Sequence, residues 1–179
     1  MKEWYCKQLE SEKRTYLYAV KSIADFEDYF AIKSDPTAIL WSGFASAPDR
    51  EKLLNHFKGL LEEIKAKNKF LVYLKDSETD ALIGYDLMTK IAEDTVESSG
   101  HSILSNWQGK GMGTVLFAQL VPYAKELGFK YFTGWVSDLN IGSIKNIERN
   151  GFVKTEECRT VHLAAFDRDD VFHKYICTL

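Results

Sequence analysis

Gln108-Gly109-Lys110-Gly111-Met112-Gly113 is the stretch whose residue types and spacing point most directly to chemistry. It closes a strand-like run and opens a helical one. Three glycines in five residues, at 109, 111 and 113, remove the Cβ atoms that would hold a ligand away from the backbone. The first amides of the following helix lack intrahelical partners, and the helix dipole adds partial positive charge there. Such a turn can wrap a pyrophosphate. Two nucleotide patterns fail on spacing. A P-loop counted from Gly109 would need glycine where Thr114 stands, and the dinucleotide fingerprint G-x-G-x-x-G meets the same Thr114 at its last position. Nucleotide-dependent phosphotransfer stays as a rival that requires ATP binding.

The spacing that fits is Gln-x-x-Gly-x-Gly, from Gln108, Gly111 and Gly113. It is followed by Asn140-Ile141-Gly142-Ser143 and then by Arg149-Asn150-Gly151-Phe152. In this order the motifs resemble the GNAT superfamily of N-acetyltransferases, over about Phe70 to Phe152. The Asn-x-x-Ser and Gly-Phe details look most like the branch containing ribosomal-protein alanine and spermidine acetyltransferases. The resemblance implies acetyl-coenzyme A as co-substrate. It implies that the amides of Gln108, Gly109, Lys110, Gly111, Met112, Gly113 and Thr114 hold the pyrophosphate, with Gln108 orienting the loop and Lys110 near a phosphate. Ile103 and Leu104, ending the preceding strand, would pair with the pantetheine arm and polarise the thioester carbonyl. Asn140 and Ser143 would border the coenzyme. A plain helix cap also accounts for Asn140, and a solvated loop lysine accounts for Lys110.

Amine acetylation sets its own demands. A primary amine with a pKa of ~10 is protonated at neutral pH, so a base or a lowered pKa is required. The thioester oxygen needs a donor, and the departing thiolate needs a proton. Many members of the family carry an acidic Tyr four residues after the Ala/Ser of Asn-x-x-Ala/Ser. Here that position is Ile147, which leaves Tyr175 on the last strand as a substitute. Period two places Glu97, His101 and Ile103 on one strand face, with His101 and Glu97 as base candidates. A structural histidine and a solvent-exposed glutamate are the alternatives. Asp86 would bind a cationic amine or sit on an exposed sheet face. Trp41, Phe44 and Trp107 would wall the acceptor pocket or belong to the core.

The surrounding elements must position these groups. The 179 residues suit one domain, 1–179, with ordinary apolar and charged fractions. A formal net charge of −3 argues against a general nucleic-acid binder. No stretch reaches membrane-spanning length and no secretion signal is visible. Cys6, Cys158 and Cys177 read as free thiols of a cytoplasmic protein, and His56, His101, His162 and His173 show no metal spacing. Strands are expected over 15–20, 70–75, 81–88, 95–104, 131–136, 152–155 and 172–179. Helices are expected over 22–32, stopped by Pro36, and over 49–67, after the glycine turn to Gly128 with a kink at Pro122, and over 141–150 with Ile141, Ile144 and Ile147 inward. Residues 39–44 read as a loop or short extended piece. The plan is α+β: a mixed, mostly antiparallel central sheet flanked by about four helices, in agreement with the fold the resemblance implies. The acceptor is a small-molecule amine or a protein N-terminus; a non-catalytic coenzyme A-binding protein is the alternative motivated by Ile147. Dimers are common in the family, so a homodimer is also open.

Overall fold

A computed structural model describes residues 14–41 and 46–179; Cys6 and Phe44 lie outside them. Seven strands, β1 (Thr15–Ala19), β2 (Lys69–Asp76), β3 (Leu82–Ala92), β4 (Thr95–Ile103), β5 (Tyr131–Ser137), β6 (Val153–Leu163) and β7 (Arg168–Thr178), form one sheet in the order β1-β2-β3-β4-β5-β7-β6. Only β4 and β5 run parallel; every other pair is antiparallel. The α-helices among the described residues are α1 (Phe26–Ser34), α2 (Pro36–Trp41), α3 (Arg50–Lys65), α4 (Met112–Glu126) and α5 (Ile141–Arg149). The α+β plan, with a mixed and mostly antiparallel sheet, is therefore the observed one.

Apolar side chains divide between the two faces of the sheet. Leu116, Leu120 and Phe117 of α4 and Ile147 of α5 pack on Val72, Met88, Val96 and Phe132. Phe26, Tyr29 and Ile32 of α1 and Leu53, Phe57 and Leu60 of α3 pack on Leu71, Tyr73 and Tyr85. β-Strand alternation makes this possible, since neighbours along a strand serve opposite layers.

Four expectations need correction. Pro36 opens a helix as well as closing one: it occupies the first position of α2, where its missing N–H costs nothing, and Asp35 Oδ1 accepts from Thr37 N at 2.9 Å. Ile141 is 54% exposed while Ile147 is 2% exposed, because three-residue steps drift around a 3.6-residue helix. The buried face of α5 is instead Ser143 and Ile147, four residues apart. Leu127 falls at helical spacing with Leu116, Leu120 and Tyr123 and is expected to share their apolar face, yet it is exposed at the C-terminal cap of α4. Finally β6 runs eleven residues rather than four. It is an edge strand whose side chains are largely exposed, so no apolar alternation marks it.

Candidate active site

Gly109 and Gly111 adopt φ of +71° and +78°, and Gly111 is the left-handed N-cap of α4. A Cβ at either would meet nothing within 4 Å, so the backbone there is open on its outer side. Among the described residues, no protein acceptor takes the N–H groups of Gly109, Lys110, Gly111, Met112 or Gly113. Converging free amides at a helix start form an anion site. Gly113 has a different task. A Cβ there would lie 2.3 Å from Asn146 Nδ2, so its missing side chain lets α5 lie against α4. Thr114 Oγ1 lies 2.9 Å from Asn146 Oδ1, and Asn150 Nδ2 donates to Thr114 O at 3.1 Å. Gln108 Nε2 donates to Ile103 O at 3.0 Å, tying the loop to the end of β4. Lys110 Nζ sits 4.9 Å from the Trp107 ring centroid; Trp107 packs on the α4 side of the sheet, beside the loop.

β4 and β5 pair only from Thr95/Tyr131 to Ser98/Gly134. Beyond that point β4 continues to Ile103 and β5 to Ser137, so the parallel strands diverge into a fork. A small cavity lies in it, lined among others by Ser98, His101, Phe117, Trp135 and Ile147. The glycine turn opens at the end of β4, and Ser143 of α5 reaches in from the other side.

A bulge in β4 decides which side chains enter the fork. Leu87 pairs with Gly100 and Met88 with Ser98, leaving Ser99 as an extra residue. Glu97 and His101 therefore lie on opposite faces, correcting the period-two reading. Asp86, Ser98 and His101 share the α4 side. Ser98 Oγ lies 2.5 Å from Asp86 Oδ2 and 3.4 Å from His101 Nδ1; His101 Nε2 lies 3.2 Å from Ser143 Oγ. Asn140 Oδ1 accepts from Ser143 N at 3.1 Å, so Asn140 does cap α5. Asp86 is wholly buried, not on an exposed face, and its Oδ1 has no hydrogen-bond partner among the described residues. Burial pushes its carboxyl up to about 7, against a smaller opposing effect of the Ser98 hydroxyl. His101 keeps some solvent contact along the fork, yet protein encloses it, with the Phe117 ring edge-on at 5.1 Å. Its imidazole is pushed down to about 4 by that burial and is neutral at pH 7.

The other face carries Glu97, whose Oε2 accepts from Trp135 Nε1 at 3.0 Å and lies 3.4 Å from Thr133 Oγ1. Tyr85 projects there beneath α1, and Lys33 Nζ donates to its hydroxyl at 2.5 Å. Burial pushes the Lys33 ammonium down to about 8. Asp35, between α1 and α2, accepts from Ser105 N and Oγ through Oδ2 at 3.0 and 2.9 Å. This pins the helices to the segment after β4. Trp41 of α2 meets Phe166 of the β6–β7 turn, ring centroids 5.2 Å apart, bridging elements on the two sides of the fork. Tyr175 is buried on β7 opposite Gly134 and is not among the residues lining the cavity.

Sequence reasoning grouped Ile103, Leu104, Gln108 to Thr114, Asn140, Ser143 and His101, and these converge around the fork. It missed Ser98 and the burial of Asp86. The signals were present: a glycine inside a strand, Gly100, marks a bulge, and Asp86 interrupts an apolar run.

The model of the acetyltransferase (GNAT) domain family matches residues 14–153. No curated protein matches the sequence significantly. Among solved structures, spermidine N-acetyltransferase from Vibrio cholerae in complex with CoA and spermine superposes with a TM-score of 0.79 at 16% identity, covering 93% of this chain and 96% of that one. The protein yncA of Salmonella typhimurium, solved with its cofactor acetyl-CoA, gives 0.69 at 19% identity over 93% and 94%. A GNAT-family acetyltransferase from Bacillus anthracis gives 0.72 at 15% identity over 92% and 95%. With the family model spanning β1 to the start of β6, this chain belongs to the GNAT acetyltransferase family.

Proposed function

We propose that the chain is an acetyl-CoA-dependent N-acetyltransferase that acts on a primary amine by direct attack within a ternary complex. The observation that carries this reading is the run of unpaired amides from Gly109 to Gly113 placed at the mouth of the β4–β5 fork. One feature binds a pyrophosphate, and the other admits an extended arm between two strand edges. Similar structures solved with CoA or acetyl-CoA support the same cofactor.

Acetyl-CoA supplies an acyl group activated as a thioester. The amides from Gly109 to Gly113 hold its pyrophosphate, with Lys110 adding charge; those of Gln108 and Thr114, expected to join them, donate instead to Ser105 O and Gly111 O. Gln108 keeps the loop in register with Ile103. The backbone of Ile103 orients the pantetheine arm and gives a donor to the thioester oxygen, whereas the N–H of Leu104, expected to share that task, is taken by Ile83 O at 2.9 Å. Asn140 and Ser143 border the arm from α5. On the opposite face, Glu97 takes a proton from the incoming ammonium, directly or through water. His101 and Tyr175 are the remaining proton-transfer candidates. His101 is neutral and contacts the fork, whereas Tyr175 stands on β7, one strand beyond β5.

A small amine is the favoured acceptor over a protein N-terminus. The Trp41–Phe166 contact joins α2 to the β6–β7 turn above the fork, narrowing the path that an extended peptide would need. A similar structure holding spermine fits the same class.

Thermal-shift titration with acetyl-CoA beside ATP and NAD tests the reading. A ligand that binds only the folded chain raises Tm by mass action. The expected result is a rise with acetyl-CoA alone, followed by thiol release with at least one member of an amine panel. No rise at millimolar acetyl-CoA would refute the cofactor assignment. Binding without release for any amine would favour a non-catalytic coenzyme A-binding role.

A further inference from the structure

We propose that Asp86, Ser98, His101 and Ser143 form a proton relay ending at the coenzyme sulfur, with Asp86 as the buried acid that feeds it. The inference rests on the acetyl-CoA reading above.

The geometry is a continuous line of polar atoms through an otherwise apolar layer. It runs from Asp86 Oδ2 to Ser98 Oγ, His101 Nδ1 and Nε2, and Ser143 Oγ, with gaps of 2.5, 3.4 and 3.2 Å. Such a line is costly to bury, and no member of it caps a helix or turn with its side chain. Its inner end is an acid with one oxygen unpartnered among the described residues, and its two middle members, Ser98 and His101, line the cavity in the fork. Ser143 and Ile147 share the buried face of α5. A side chain at 147 would lean towards the helix N-terminus, towards the level of residue 143. The Ser143 hydroxyl thus occupies the level that a longer proton donor at 147 would reach.

The step balances as follows. Glu97 takes one proton from the incoming ammonium and releases it to water; the freed amine nitrogen forms a bond to the acetyl carbon, the carbon–sulfur bond breaks, and the nitrogen loses its second proton to Glu97 or water. Ser143 Oγ passes its proton to the sulfur and takes the Nε2 proton of His101. His101 Nδ1 takes the Ser98 proton, and Ser98 takes the Asp86 proton. The imidazole exchanges tautomers and never becomes a cation, as its burial requires. Water at the Ser143 end returns the proton to Asp86 after product leaves.

Few other ionisable groups bear on Asp86. From β4 it faces His101, and from β2 its register partner is Val72. The buried residues of α4 and α5 carry no charge, and the neighbouring Tyr85 phenol projects to the other face. Asp86, with a carboxyl pushed up to about 7, is protonated below that pH and loses its donor role above it.

Infrared spectroscopy and kinetics test the relay together. Wild type at pH 6 should show a carboxylic-acid C=O band that Asp86→Asn removes. Coenzyme A should shift this band in wild type and leave it unmoved in Ser98→Ala, where the line is cut. Thiol release from acetyl-CoA, with spermine or water as acceptor, should level off above about pH 7 in wild type. In Asp86→Asn and Ser98→Ala it should fall roughly tenfold to hundredfold in kcat, with KM for acetyl-CoA unchanged, and keep rising with pH. A band that ignores coenzyme A, or variants with the wild-type rate and profile, overturns the relay. Failure of wild type to bind coenzyme A by calorimetry overturns the cofactor reading, and the relay with it.

Discussion

Pairing of Leu87 with Gly100 and of Met88 with Ser98 leaves Ser99 without a register partner on β3, and its hydroxyl donates to Leu87 O instead. That single insertion puts Ser98 beside Asp86 and sends Glu97 to the opposite face of the sheet. Period two alone could not anticipate it, because the bulge breaks the period where the site needs two faces. Single residues matter equally in the glycine turn. Gly111 combines a φ of +78° with free space where a Cβ would stand. Gly111→Asp adds left-handed strain of about 1 kcal/mol and a negative charge among the amides. We expect at least a tenfold loss of coenzyme A affinity by calorimetry, with the fold intact by circular dichroism; unchanged affinity would sink the loop assignment. The glycines were legible as an open turn at the start of a helix. The separate role of Gly113 was not, since its neighbour Asn146 is 33 residues away and only the packing of α5 on α4 brings it near.

At the level of elements, the long amphipathic helices and the central strands were readable because burial on one face imposes a period. What was missed lacks that period: α2 is six residues long, and β6 lies at an edge with most side chains in water. Asp35 joins two elements that sequence could not connect. Its burial alone would raise its pKa, but the N–H donors of Ser105 and Thr37 and the Ser105 hydroxyl outweigh this and hold it below the ordinary value. A depressed carboxyl contributes stability above its unfolded pKa of about 3.9, and that contribution is lost as pH falls through the folded value. Asp35→Ala should cost about 2 kcal/mol, or ~5 °C in Tm, at pH 7. The gap to wild type should narrow below about pH 4; a constant gap would mean that the carboxylate's charge is irrelevant. Pro122 lies inside α4, which continues past it to Glu126. Proline there denies one carbonyl its donor, so Pro122→Ala should raise Tm, by up to ~3 kcal/mol of added stability. An unchanged or lower Tm would show that α4 has already accommodated the ring.

For the whole molecule, the two buried ionisable groups of the fork make opposite demands on folding. His101, pushed down to about 4, binds its proton more readily unfolded, so its contribution is lost as pH falls from about 6.5. Asp86, pushed up to about 7, ionises more readily unfolded, so its contribution is lost as pH rises from about 3.9. Between pH 4 and 6.5 the two trends offset. Asp86→Asn should therefore give a Tm that climbs with pH in this window, and His101→Gln one that declines, relative to wild type. Parallel curves for all three would mean that neither group titrates as its burial implies. The sheet that carries both groups is continuous in order, yet its halves, β1 to β4 and β5 with β7 and β6, are joined by only four register pairs, Thr95/Tyr131 to Ser98/Gly134. Mechanically this is a seam closed at one end. A ligand laid along the open end completes the stitching, so its grip on the protein and the grip of the two halves on each other become one quantity. Amides on either side of the seam should exchange with solvent as a pair, and slow together.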